Sequence, residues 1–183
     1  VPRDRLFLAS KCWTTTIYKG RAAVRAQVER SLASLQTGYL DLYCIHWPVP
    51  GKHYEAYREL EDLYAEGRIR SIGISNYKAE DYLELVRCGL KVKPVVNQIE
   101  INPFLFRKDV IDFFRAEGVA MQSYRALCDG KQFNDERLAE IAGKHQRSVA
   151  QVRAQMIGKM LAYGGRARVN AQTFHPVMHN LAS

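Results

Sequence analysis

No stretch of this 183-residue chain strings together the roughly 18 apolar side chains that a membrane-spanning helix needs, so no membrane partner is expected. Val1 to Arg5 is charged and offers no apolar leader core, so no secretory signal is expected and the reading is cytoplasmic. The four cysteines, Cys12, Cys44, Cys88 and Cys128, form no Cys-x-x-Cys pair, which excludes the commonest zinc and dithiol motifs. Cys44 lies in an apolar run and reads as a small buried hydrophobe. His175 and His179 are four apart, but Pro176 lies between them and no third ligand is near in sequence, so no metal site is expected. Acid is missing from the end of the chain: all 19 Asp+Glu lie at or before Glu140, against 27 Lys+Arg and a net charge of +8. Residues 153–183 carry Arg153, Lys159, Arg166 and Arg168 and supply half of that excess. Basic residues are not interleaved with aromatics as a base-stacking surface requires, so nucleic acid is not an expected partner. With 47% hydrophobic and 25% charged residues, the composition is that of a folded domain.

What is present is alternation. Apolar runs at Leu6–Ser10, Leu40–Ile45, Ile69–Ile74, Val95–Gln98 and Val119–Ser123 read as strands buried on both faces. Helical periodicity fills the gaps at residues 22–36, 55–66, 79–88 and 107–117. The expected inward residues are Val24, Val28, Leu32 and Leu35 in the first helix, and Leu60, Leu63 and Tyr64 in the second. In the fourth they are Val110, Phe113 and Phe114. Residues 135–144, with Leu138 and Ile141 inward, and a segment opening at Ser148 read as two more helices. Met156, Ile157, Met160 and Leu161 suit one amphipathic helix, and residues 163–183 show no period and are expected to be poorly ordered. Strands alternating with helices call for parallel pairing and right-handed crossovers. The expected fold class is α/β, with about five parallel strands. The length excludes a complete eight-unit barrel, which takes about 200 residues or more.

The strand ends share a chemistry. In order they offer Lys11, His46, Ser75-Asn76, Asn97-Gln98 and Tyr124. Parallel strands bring these ends to one edge, where α/β proteins assemble their sites. Any one of them alone would be a solvated charge, a helix cap or a core ring; five in succession point to a site.

These segments carry a resemblance. Leu8-Ala-Ser-Lys11, Asp41-Leu-Tyr-Cys-Ile-His-Trp-Pro48, Arg70-Ser-Ile-Gly-Ile-Ser-Asn-Tyr77 and Val96-Asn-Gln-Ile-Glu-Ile-Asn-Pro103 resemble, in order, the signatures of the aldo-keto reductase family. The resemblance runs from about Val1 to about Val152. It implies a TIM-type (β/α) barrel, present here in part, and NADP-dependent reduction of small-molecule aldehydes and ketones to alcohols. It also assigns roles. Lys11 matches the lysine that lowers the pKa of a proton-donating tyrosine, and His46 the histidine that orients the carbonyl. Ser75, Asn76 and Gln98 match the groups on the nicotinamide carboxamide, and Tyr124 the ring stacked on the nicotinamide. Trp13 and Trp47 match aromatics of the substrate pocket.

Two departures accompany the resemblance. The family's donor tyrosine and its aspartate belong to a strand–helix unit before the lysine strand, and only ten residues precede Lys11. After Ser148-Val-Ala-Gln-Val152 the family's Arg-Trp helix and Pro-Lys-Ser phosphate loop do not follow; the chain reads Arg153-Ala-Gln-Met-Ile-Gly-Lys, as after a change of reading frame or in a spliced-on sequence. The Ser-Pro-Leu-Gly stretch that commonly follows the stacking ring is Arg125-Ala-Leu-Cys128. The expected organisation is therefore an incomplete barrel domain at 1–152 and a divergent basic tail at 153–183, helical and then irregular. The expected function is an aldo-keto reductase by descent, impaired as this chain. The competing reading is a catalytically inactive remnant or truncated gene product, acting as a binding module. Exposed sheet edges would favour self-association.

Overall fold

The computed structural model describes residues 1–131 and 133–162. The expected disorder of 163–183 and the His175/His179 pair lie outside the described residues. Five strands, β1 (Ala9–Cys12), β2 (Leu42–Ile45), β3 (Ile72–Ser75), β4 (Val96–Glu100) and β5 (Ala120–Tyr124), form one sheet in sequence order. Every neighbouring pair is parallel. Between them run α1 (Thr14–Ile17), α2 (Arg21–Ser34), α3 (His53–Ala65), α4 (Ala79–Arg87) and α5 (Lys108–Ala116); α6 (Glu136–Lys144) and α7 (Val149–Ala162) follow. This is the parallel α/β arrangement read from the alternation, with the strand order of a barrel segment.

The contacts divide the chain into two compact units. One comprises Val1–Glu100 with Asp109–Tyr124, and holds the whole sheet. Its core lies between the sheet and its helices: Tyr43, Ile45, Ile72 and Ile74 pack with Val24, Val28, Leu32, Leu60, Leu63, Leu85 and Phe114. Alternation along each strand sends Leu42, Cys44 and Val96 to the other face, where they form a small cluster of their own. Gly73 lies in that cluster, and a Cβ there would meet Cys44 Sγ at 2.5 Å. Helices α2 and α3 are tied by charge: Arg21 and Arg25 both reach the buried Glu59, and Arg25 also grips Glu66 with two N–H donors at 2.7 Å.

The other unit comprises Ile101–Lys108 and the chain from Arg125 on. Leu138, Ala142 and Val152 pack α6 on α7, with Val149 and Met156 beside them. Asp135 caps α6 by accepting from the backbone N–H of Arg137 and Leu138. Arg153 is fully buried; its Nη1 donates to the Lys131 carbonyl at 3.1 Å, while Nε and Nη2 find no acceptor among the described residues. The Phe133 ring lies 4.9 Å from its guanidinium carbon.

Several expectations shift. The first strand is Ala9–Cys12 and not Leu6–Ser10. Residues 3–5 instead form a 3-10 turn, and Arg3 and the Leu8 N–H both bond Asp41, which holds Leu6 and Phe7 outside the sheet and partly exposed. Leu35 is exposed because it lies beyond the last turn of α2. Tyr64, one residue on from the buried Leu63, is rotated outward. In α6 the inward position after Leu138 is Ala142; Ile141 is 36% exposed. In α5 the fully buried pair is Ile111 and Phe114, with Val110 and Phe113 packed at its margin.

Candidate functional site

Register places most of the expected residues on one sheet face. Lys11 pairs with Cys44 across β1 and β2, Ser75 with Gln98 across β3 and β4, and Gln98 with Gln122 across β4 and β5. Side chains at alternate positions share a face, so Lys11, Cys44, Ser75, Gln98 and Tyr124 stand on the side carrying Leu42 and Val96. Lys11 lies inside β1 and Gln98 inside β4, not past their ends. His46 and Asn76 follow β2 and β3 directly.

The strand ends are laced together by hydrogen bonds. Ser75 Oγ donates to the Gln98 carbonyl at 2.8 Å, and Asn76 N–H donates to the same oxygen at 2.9 Å. Asn76 Nδ2 donates to the His46 carbonyl at 2.9 Å. The Tyr124 hydroxyl donates to Asn76 Oδ1 at 2.6 Å. Gln98 Nε2 donates to Gln122 Oε1 at 2.6 Å. Asn76 takes φ 63°, in the left-handed region that asparagine tolerates better than most residues. That turn is held from beneath by Asn97, which is buried and exchanges hydrogen bonds with the Tyr77 backbone at 2.9 and 3.4 Å. Asn97 stands among the strand-end residues read from the sequence but carried no assigned role, and Gln122 was not singled out. The signal available was an amide inside an apolar strand, since such a group must find partners when buried.

Lys11 is half-buried, with Nζ 5.6 Å from the Tyr124 ring centroid. Burial lowers its pKa, and the Cys44 thiol opposes this only partly. Cys44 itself is pushed up to about 12 by burial, so it stays a neutral thiol. His46 is lowered, first by burial and then by the charge of Lys11, so its imidazole is neutral at pH 7. Trp13 meets His46 edge to face at 4.6 Å. Trp13 and Trp47 are each a little under half exposed, as open aromatic walls would be. The residues expected from the sequence are thus all in the sheet-bearing unit, and Asn76 links three of them: His46, Ser75 and Tyr124.

The donor set suits a planar primary amide. Such a group offers two N–H donors and a carbonyl acceptor, and Asn76, Gln98 and Ser75 each carry both a donor and an acceptor. The Tyr124 ring adds a flat surface beside them. Among the described residues no His, Cys, Asp and Glu group could hold a metal ion.

A sheet of parallel strands in sequence order, with its polar groups gathered at one edge, defines this as part of a (β/α) barrel of the kind that builds sites at its strand ends. The family model described as "Aldo/keto reductase family" matches residues 1–173, and the chain belongs to that family. It is 41% identical over 152 residues to a glyoxal reductase of Bacillus subtilis (strain 168), covering 83% of this chain and 54% of that protein. An aldo/keto reductase structure from Brucella melitensis superposes with a TM-score of 0.77 at 35% identity, over 84% of this chain and 59% of the other. A variant of Gox0644 solved in complex with NADPH gives 0.75 at 36% identity, over 82% and 55%. The chain spans about half the length of the curated relatives it matches.

Proposed function

We propose that the chain carries the cofactor-facing part of an NADP-dependent carbonyl reductase site, serving small aldehydes or ketones. One observation carries this reading. The Tyr124–Asn76 hydrogen bond, with Lys11 over the same ring, draws the ends of β1, β3 and β5 into one cluster of neutral amides, an aromatic face and a lysine. The printed names of relatives support it: a glyoxal reductase, a methylglyoxal reductase of Salmonella typhimurium, and an NADPH complex.

In this reading Ser75, Asn76 and Gln98 hold the carboxamide and the Tyr124 ring lies against the nicotinamide. When bound, the cofactor supplies the hydride. His46, neutral at pH 7, donates its N–H to the carbonyl oxygen and orients it. Trp13 and Trp47 flank the substrate and limit water around it. Lys11 supplies positive charge near the developing oxyanion.

Proton donation is the weak point. The phenol beside Lys11 belongs to Tyr124, and its hydroxyl donates to Asn76. Among the described residues no carboxylate forms an ion pair with Lys11. A positioned general acid contributes roughly 10²–10⁴-fold, so the 183 residues alone are expected to bind the cofactor and turn over poorly. Fluorescence titration with NADPH, followed by NADPH oxidation with a reactive aldehyde, tests this. Saturable binding without measurable oxidation is expected. Absence of binding would overturn the site reading, and oxidation abolished by His46→Ala would overturn the impairment.

A further inference from the structure

We propose that Glu84, on the outer helix α4, is a positioning residue: it holds the loop after β2 so that the Trp47 ring stands as a wall of the substrate pocket. The proposal rests on the carbonyl-site reading above, which gives Trp47 that place, and it adds a residue outside the strand ends.

The loop runs from His46 to Lys52, and its sequence makes it stiff. Pro48 and Pro50 fix two φ angles and bring no N–H. Trp47 precedes Pro48, which confines it to extended backbone. Val49 is buried in the core. Val49 to Lys52 form a turn, closed by the Lys52 N–H on the Val49 carbonyl at 3.0 Å. Pro50 is its second residue and Gly51, at φ 74°, its third, which is the pattern of a type II turn. The His53 N–H donates to the same Val49 carbonyl at 2.8 Å, so the turn leads directly into α3.

A segment this stiff is set in place by its two ends. At the first, the His46 N–H donates to the Cys12 carbonyl at 3.0 Å, and the His46 carbonyl accepts from Asn76 at 2.9 Å. At the second, the Gly51 N–H takes no part in the turn's own bond and donates to Glu84 Oε1 at 2.6 Å. A carboxylate holds an N–H more strongly than a neutral acceptor does. Trp47 lies between these two anchors. The other acids of α4 are occupied elsewhere: Asp81 accepts the Lys78 N–H at the start of the helix, and Glu80 pairs with the Lys78 side chain. The Glu84 oxygen that holds Gly51 also lies 3.5 Å from Nε2 of His53, the first residue of α3, so it stands where the loop, α3 and α4 meet. All of these residues belong to the sheet-bearing unit. With Gly51 released, Trp47 can pivot about His46, while Trp13, carried between β1 and α1, keeps its place.

The test uses the 183-residue chain grown with fluorinated tryptophan, without cofactor or substrate. Trp13 and Trp47 are its two tryptophans, and Trp13→Phe assigns their fluorine resonances. Glu84→Ala is expected to move the Trp47 resonance toward its unfolded position and to leave that of Trp13 in place. Glu84→Gln keeps an oxygen within reach of the Gly51 N–H and is expected to hold Trp47 near its original position. A Trp47 resonance unmoved by Glu84→Ala overturns the proposal. Equal shifts in the Ala and Gln variants, or a shift that Trp13 shares, also overturn it. Should Glu84→Ala fail to fold, the unaltered chain decides. Gly51 is exposed, yet its amide hydrogen is expected to exchange at least roughly tenfold slower than an open amide; exchange at the open rate overturns the proposal. Neither readout uses NADPH, so failure of cofactor binding leaves both intact. A chain that binds NADPH and fails here overturns this inference alone.

Discussion

The phenolic hydroxyl of Tyr124 donates to Asn76 Oδ1 at 2.6 Å, joining the end of β5 to the end of β3 across the strand between them. The same amide donates to the His46 carbonyl, so one asparagine sets the spacing of the ring, the imidazole and the Ser75 hydroxyl. Two variants separate the ring from the hydroxyl. Tyr124→Phe keeps the flat surface and frees Asn76 Oδ1 for a ligand, so NADPH affinity is expected to change little. Tyr124→Ala removes the surface and is expected to weaken binding by roughly 1 kcal/mol, about fivefold. Fluorescence titration checks both.

Gly73 is required by its neighbours. A Cβ there would meet Cys44 Sγ at 2.5 Å, Val96 Cγ1 at 2.9 Å and Leu42 Cδ1 at 3.1 Å. Gly73→Ala is expected to destabilise the chain by roughly 1–3 kcal/mol in urea unfolding. Cys44→Ala removes the nearest atom, so the double variant is expected to lose less than the sum of the two single losses.

The sheet was legible because its strands are short apolar runs set between helical periods. Leu42–Ile45 and Ile72–Ser75 are buried throughout as expected, whereas Ala9–Cys12 and Ala120–Tyr124 are only partly covered, contrary to the expectation of burial on both faces. The site was legible because its residues recur at successive strand ends. What escaped notice depends on contacts distant in sequence. The part Asn97 plays, holding the Tyr77 backbone, shows only in its hydrogen bonds. α1 is a single turn of three threonines and an isoleucine, too short to show a period. The buried Glu59 and Glu61 look like surface acids, yet Glu59 joins two arginines and Glu61 accepts the backbone N–H groups of Lys91 and Val92.

Acid is expected to weaken the fold through His53. It is fully buried and stacked on Tyr77 at 5.4 Å, and neither of its nitrogens makes a hydrogen bond. Burial lowers its pKa; Glu84, at 3.5 Å, and Asp81 oppose that without reversing it. A lowered histidine binds its proton more readily when unfolded, so stability is full above about pH 6.5 and falls as pH drops toward the folded value. Cys12 and Cys44, both raised to about 12 from 9.0, act at the other end. Their contribution is complete below pH 9.0 and is lost as pH rises toward about 12. Urea midpoints across pH are expected to fall on both sides of a neutral plateau, and His53→Phe to flatten the acid side.

Arg153 is a buried cation with two donors that find no acceptor among the described residues. Arg153→Leu is expected to stabilise the unit containing α6 and α7 by about 1–2 kcal/mol, since an apolar side chain of that length carries no desolvation cost. Hydrogen exchange in α7 reads the change locally.

The central claim is that the strand ends of the sheet-bearing unit hold a nicotinamide cofactor. Titrating NADPH into isotope-labelled chain and following amide resonances tests it most directly. Saturable shifts are expected at Ser75, Asn76, Gln98 and Tyr124, with Lys11 and His46 responding alongside. Resonances that stay fixed there, or shifts confined to α6 and α7, would contradict it.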